Sequence, residues 1–227
     1  MKKKSVKALV SCAALAVSLM TSSSASAAST VIYDNTTTYL TNFFASANEF
    51  GDQVNFAGSS RLLTDVSFEY FANLITPGDT AVFRIYKNAP GASGVPTDLL
   101  YQTPAVDIFN GFNHIDISAL SIQLPDSVTW TVQFSGLSAG ETAGLPLYSP
   151  PTVGATLAGG VIGSYDDFWQ NSAGTWSLFR FPNGQPEGNF SAKFSAVPEA
   201  STFAYAALGG LMLLGFRTYR RYSLSRS

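Results

Sequence analysis

The chain of 227 residues contains one cysteine, Cys12, and one histidine, His114. A lone thiol closes no internal disulfide. One thiol and one imidazole also cannot assemble a Cys/His zinc finger, an iron–sulfur cluster or a two-histidine metal site. Charge is scarce as well, with Asp, Glu, Lys and Arg making up 12% of the residues. Most cations sit at the ends, Lys2, Lys3, Lys4 and Lys7 at one and Arg217, Arg220, Arg221 and Arg226 at the other. Residues 29–197 keep five, Arg61, Arg84, Lys87, Arg180 and Lys193, against 14 acids, an excess of nine negative charges. A body with that balance repels phosphate backbones, which argues against nucleic acid as a partner. The body also lacks any convincing 3.6-residue period, so a long amphipathic helix is not expected. What is present is length enough for one all-β domain whose core needs no covalent staple.

The two ends read as addresses. Residues 1–28 combine a lysine-rich start, an apolar run from Ala8 to Met20 and a small-residue stretch, Ala25-Ser26-Ala27-Ala28. These are the three zones of a secretory signal, with cleavage expected after Ala27 or Ala28 and the Sec translocon as the export machinery. Cys12 would leave with that segment. Near the other end, residues 200–216 carry no charge and are followed by Arg217, Arg220 and Arg221. As a helix this stretch reaches about 25 Å, close to the hydrocarbon thickness of a bilayer. The arginines stay cytoplasmic, which leaves the preceding domain on the side to which the signal delivers it.

The order Val197-Pro198-Glu199-Ala200-Ser201-Thr202, then an apolar span, then Arg217-Thr218-Tyr219-Arg220-Arg221 resembles the bacterial PEP-CTERM sorting signal. Ala200 stands where that family's pattern has a second proline. The resemblance implies recognition by an exosortase, with cutting near the Pro198–Glu199 step. It also implies a precursor anchored in the inner membrane, its domain in the periplasm, and later delivery to the cell surface or an exopolysaccharide matrix. Pro198 suits such a substrate because proline holds the preceding residue, Val197, in an extended conformation. The organisation expected is therefore a signal peptide over 1–28, an ectodomain over 29–196 and a sorting region over 197–227.

Within the ectodomain the dominant period is two. Val66, Phe68 and Tyr70 alternate with Asp65, Ser67 and Glu69, and Val128, Trp130, Val132 and Phe134 alternate with polar neighbours, the pattern of half-buried strands. Residues 80–87, 112–117, 175–181 and 189–196 supply further strands, the last with Phe190, Ala192 and Phe194 on one face. Turn chemistry separates them at Pro77-Gly78-Asp79, Pro90-Gly91, Leu124-Pro125-Asp126 and Pro182-Asn183-Gly184. Residues 38–47 fit a short helix, a strand or a loop equally well. Many short strands with glycine-rich turns predict an all-β fold, a jelly-roll-like β-sandwich, with a closed barrel as the alternative. Trp130 and Trp176, each in phase with apolar neighbours, are expected in the core.

Candidate chemistry is sparse. Alternation puts Phe112, His114 and Asp116 on one face, so a carboxylate can lie beside the only imidazole, on a face expected to be solvated. Glycoside hydrolysis needs two carboxylates about 5–10 Å apart, and nothing in the sequence brings Glu49, Asp52 and Glu69 together. Asp166 and Asp167, flanked by Tyr165, Phe168 and Trp169, offer a loop calcium site or a sugar-stacking surface, with plain packing as the structural alternative. The expectation is a non-enzymatic exported protein of the envelope or extracellular matrix. The alternatives are a carbohydrate-binding surface module and a secreted glycoside hydrolase.

Overall fold

The structure, a computed structural model, describes residues 28–90 and 94–199. Ala28 of the expected signal cleavage site is among them. Ala27, the remainder of the signal, Ala200, Ser201, Thr202, the apolar span and the arginine tail lie outside the described residues.

Strands follow one another along the chain as β1 (Thr30–Asp34), β2 (Tyr39–Ala45), β3 (Glu49–Asn55), β4 (Leu62–Asn73) and β5 (Thr80–Asn88). Next come β6 (Pro96–Gln102), β7 (Val106–Asp107), β8 (Gly111–Ile117), β9 (Ile122–Gln123) and β10 (Ser127–Ser135). The last are β11 (Thr142–Tyr148), β12 (Phe168–Ser172), β13 (Thr175–Phe179), β14 (Asn189–Phe190) and β15 (Ala192–Val197). They form two antiparallel sheets, the arrangement of a β-sandwich. The first is ordered β1-β15-β4-β11-β14, with β2 on β11 and both β8 and β9 on β4. The second is ordered β13-β12-β3-β10-β5-β6, with β7 on β5.

The period-two pattern places the core. Val66, Phe68 and Tyr70 on β4, and Val128, Trp130, Val132 and Phe134 on β10, are all buried. Trp130 lies at the centre, 5.9 Å from the Phe83 ring and 6.0 Å from Phe68. Phe190 of the first sheet meets Phe50 of the second edge-on at 5.7 Å. Truncating a ring in such a core typically costs about 3–5 kcal/mol. β10 differs from a half-buried strand in one respect. Thr129 and Thr131, on its other face, are also buried, because side chains of neighbouring strands fold over them. Glu49 Oε1 accepts hydrogen bonds from the Thr131 hydroxyl at 2.5 Å and the Tyr86 hydroxyl at 2.9 Å.

One open reading is settled and one expectation is corrected. Residues 38–47 contribute strand β2, with Phe44 packed against Phe50 at 5.1 Å and Phe43 turned to Phe71 at 4.9 Å. Trp176 is outside the core. It is half-buried on β13 and meets Tyr86 edge-on at 5.3 Å. Strand β13 takes its phase from β12, whose Phe168 points inward opposite Phe179, and this turns Trp176 to the outside.

Candidate functional site

The same alternation that buries Val66, Phe68 and Tyr70 directs Asp65, Ser67 and Glu69 to the outer face of the first sheet. On the neighbouring β8, Ile115 and Ile117 pack toward the core, so His114 and Asp116 face outward. On β15, buried Ala192, Phe194 and Ala196 leave Lys193 and Ser195 on that face. Register then aligns the polar set, pairing Glu69 with His114 and Ser67 with both Asp116 and Lys193. These side chains line a groove of about 530 Å³.

The groove holds its only imidazole between carboxylates. His114 Nε2 is 3.0 Å from Asp116 Oδ1, and Nδ1 is 3.9 Å from Glu69 Oε1. Glu69 also accepts a hydrogen bond from the Tyr148 hydroxyl. Burial pushes the Tyr148 phenol well up from its ordinary range, reinforced by the Glu69 bond and charge, so it stays a donor. Lys193 Nζ lies 3.5 Å from Asp34 Oδ2. Among the described residues no hydroxyl donates to or accepts from His114, and Ser-His-Asp geometry is not assembled there.

An aromatic strip continues the groove. Tyr39 of β2 and Phe112 of β8 are 37% and 47% exposed, and their rings meet at 5.4 Å. Tyr39 also lies 5.6 Å from the Tyr148 ring, which ties the strip to Glu69. Phe112 was placed on the His114 face by alternation alone. Tyr39 and Tyr148 carried no sequence signal, because they reach this surface from segments far apart in the chain.

The Asp166-Asp167 loop forms a second cleft, of about 290 Å³, which Arg180, Glu187 and Asn189 also line. Asp166 is engaged structurally. It accepts the Gly188 backbone N–H at 2.7 Å and a bond from Arg180 Nη2 at 3.3 Å. Burial raises the Asp167 carboxyl above its usual range, with Arg180 opposing and Asp166 adding to the shift. Trp169 is only 5% exposed, and its indole nitrogen donates to Gln53 Oε1 at 3.4 Å. It does not line the cleft beside the two aspartates. No group of three or more His, Cys, Asp or Glu side chains among the described residues is arranged to hold a metal ion.

The three scattered carboxylates noted in the sequence stay apart in role. Glu49 is pinned on the outer face of the second sheet, with Arg84 Nη1 3.3 Å away, and Glu69 belongs to the groove on the first. Asp52 points inward between Phe50 and Val54 and is fully buried, its Oδ1 accepting a 2.7 Å bond from the Ser164 hydroxyl. Comparison against protein families, curated proteins and solved structures finds no match to this chain.

Proposed function

We propose that this is an exported, non-enzymatic protein of the bacterial envelope or extracellular matrix, sorted through its PEP-CTERM-like tail and cut by an exosortase. One observation supports the reading above the others, the place where the last described strand ends. Strand β15 ends at Val197, the first residue of the motif, and Pro198 and Glu199 continue outside the sheet. The last strand among the described residues is therefore formed by the point where the motif begins, and a cut near Pro198 or Glu199 removes none of the described strands. At the other end β1 begins at Thr30, two residues past Ala28. Strands that pass repeatedly from one sheet to the other suit the jelly-roll-like connectivity expected of the domain.

In this reading the Sec translocon exports the chain, residues 200–216 hold the precursor in the inner membrane, and Arg217, Arg220 and Arg221 keep its tail cytoplasmic. Val197 to Thr202 are substrate features of the processing enzyme. The test is the intact mass of the protein from envelope and culture-medium fractions of its native host. The expected species lacks residues 1–27 or 1–28 and ends between Val197 and Glu199. A full-length chain in the cytoplasm would overturn export, and a surface species that keeps Arg217 to Ser227 would overturn cutting.

A further inference from the structure

We infer that the outer face of the β4–β8 sheet is a binding site for a polysaccharide strand free of acidic groups, with Tyr39 and Phe112 as its stacking rings. The inference stands on the groove and is independent of whether the tail is processed.

A sugar ring presents two chemistries at once, an apolar face of C–H groups and a rim of hydroxyls that both donate and accept. The groove and its strip offer both complements side by side. Phe112 and His114 are two residues apart on one face of β8, a separation of about 7 Å, so a ring stacked on Phe112 has its hydroxyls within reach of the polar floor. Tyr39, edge-on to Phe112 at 5.4 Å, extends the apolar surface across to β2. The floor supplies acceptors from Asp65, Glu69 and Asp116 and hydroxyls from Ser67 and Ser195. At about 530 Å³ the groove lies within the size range of small-molecule sites, about 300–1,000 Å³.

Charge selects within that class. Three carboxylates face the groove, while Lys193 lies beside Asp34 and His114 sits between Glu69 and Asp116. Asp65 is exposed and makes no side-chain hydrogen bond or ion pair among the described residues. An acidic polymer such as a polyuronate meets repulsion here, whereas hydroxyls and sugar ammonium groups meet acceptors. A protein partner fits less well, since the centre of a protein interface is depleted in charged residues and this floor is rich in them. The surface is also preformed. β4 is held between β8 on one side and β15 and β11 on the other, so few groups need ordering on binding.

Affinity electrophoresis of the full chain in mild detergent tests this. The gels carry hydroxyethyl cellulose, galactomannan, glycol chitosan or alginate. The expected result is retardation by at least one of the three polymers without acid groups and free migration in alginate. The paired substitution Tyr39→Ala with Phe112→Ala should weaken retardation about tenfold or more, the scale of losing two stacked rings. Asp65→Asn, an isosteric change on an exposed side chain, should weaken it several-fold where an ammonium-bearing polymer is bound, and Trp176→Ala on the opposite sheet should leave it unchanged. Thermal melts of each variant report folding, and if the paired variant misfolds, Tyr39→Leu with Phe112→Leu replaces it. Free migration in all three gels, equal retardation by alginate, or undiminished binding by a folded ring variant would overturn the proposal.

Discussion

Asp52 sits in an environment far from what its chemistry prefers. Its side chain is buried inside the sandwich, Oδ1 accepts from Ser164, and Oδ2 and the nearby Tyr33 hydroxyl have no hydrogen-bond partner among the described residues. Burial, first of all, pushes the Asp52 carboxyl well above the ordinary range; Asp167 adds to the shift, and the Ser164 bond with backbone groups of Phe190 and Gln53 opposes it. The stability consequence has a definite sign. Below about pH 4 both folded and unfolded chains hold the proton, so this residue exerts no pH effect. As pH rises past that point the unfolded chain releases it while the folded chain keeps it, and stability falls by at most about 1.4 kcal/mol per pH unit until the folded pKa is reached. Asp52→Asn removes the titration while retaining an acceptor for Ser164. Melting curves at pH 4, 5.5 and 7 should show a gain in Tm for the variant that grows with pH and is smallest at pH 4. A variant less stable than the parent at pH 7 by more than at pH 4 would contradict this account.

At the scale of elements, strand β3 depends on how closely it approaches β10. A Cβ at Gly51 would lie 1.9 Å from the Trp130 carbonyl oxygen and 2.6 Å from the Thr131 Cα, both backbone atoms that cannot swing aside. Gly51→Ala should therefore force β3 and β10 apart and cost about 3 kcal/mol or more, measured by urea unfolding against the parent chain. Strands of this kind were legible where one face is apolar and the other polar, as on β4, or where the polar side chains are short, as on β10. β2 was not, because Phe43 and Phe44 are adjacent and each finds an aromatic partner on its own side, which erases the alternation. β13 was legible as a strand but not in phase, since Trp176 and Leu178 look like an inward face until pairing with Phe168 fixes the opposite one. The candidate groove was half legible. Glu69, His114 and Asp116 follow from alternation on two strands, but their convergence requires β4 and β8 to pair, and Tyr39 arrives only through β2 and β11. A site built from five strands leaves no local spacing to read.

At the scale of the molecule, the proposed export and the fold make a joint demand, that the domain survive loss of both ends. Strand β15 carries that demand because it lies between β1 and β4 and its last residue, Val197, is the first of the PEP-CTERM-like motif. Ala196 pairs with Thr30 on one side, and Val197 pairs with Leu62 on the other. Phe194, fully buried, packs against Tyr33 at 6.0 Å and Phe56 at 5.4 Å. Beyond Val197, Glu199 Oε1 accepts a 2.7 Å hydrogen bond from Gln123 Nε2 at the exposed surface, worth about 1 kcal/mol or less. A chain of residues 28–199 should accordingly unfold in one cooperative transition, with a denaturant slope in proportion to a sandwich of that length. A chain of residues 28–191 loses β15, leaves β1 without its ladder and opens the core at Phe194, and should show no cooperative transition. If residues 28–199 failed to fold, the segment after Glu199 would be part of the domain, and cutting at Pro198 or Glu199 would destroy what it is proposed to release.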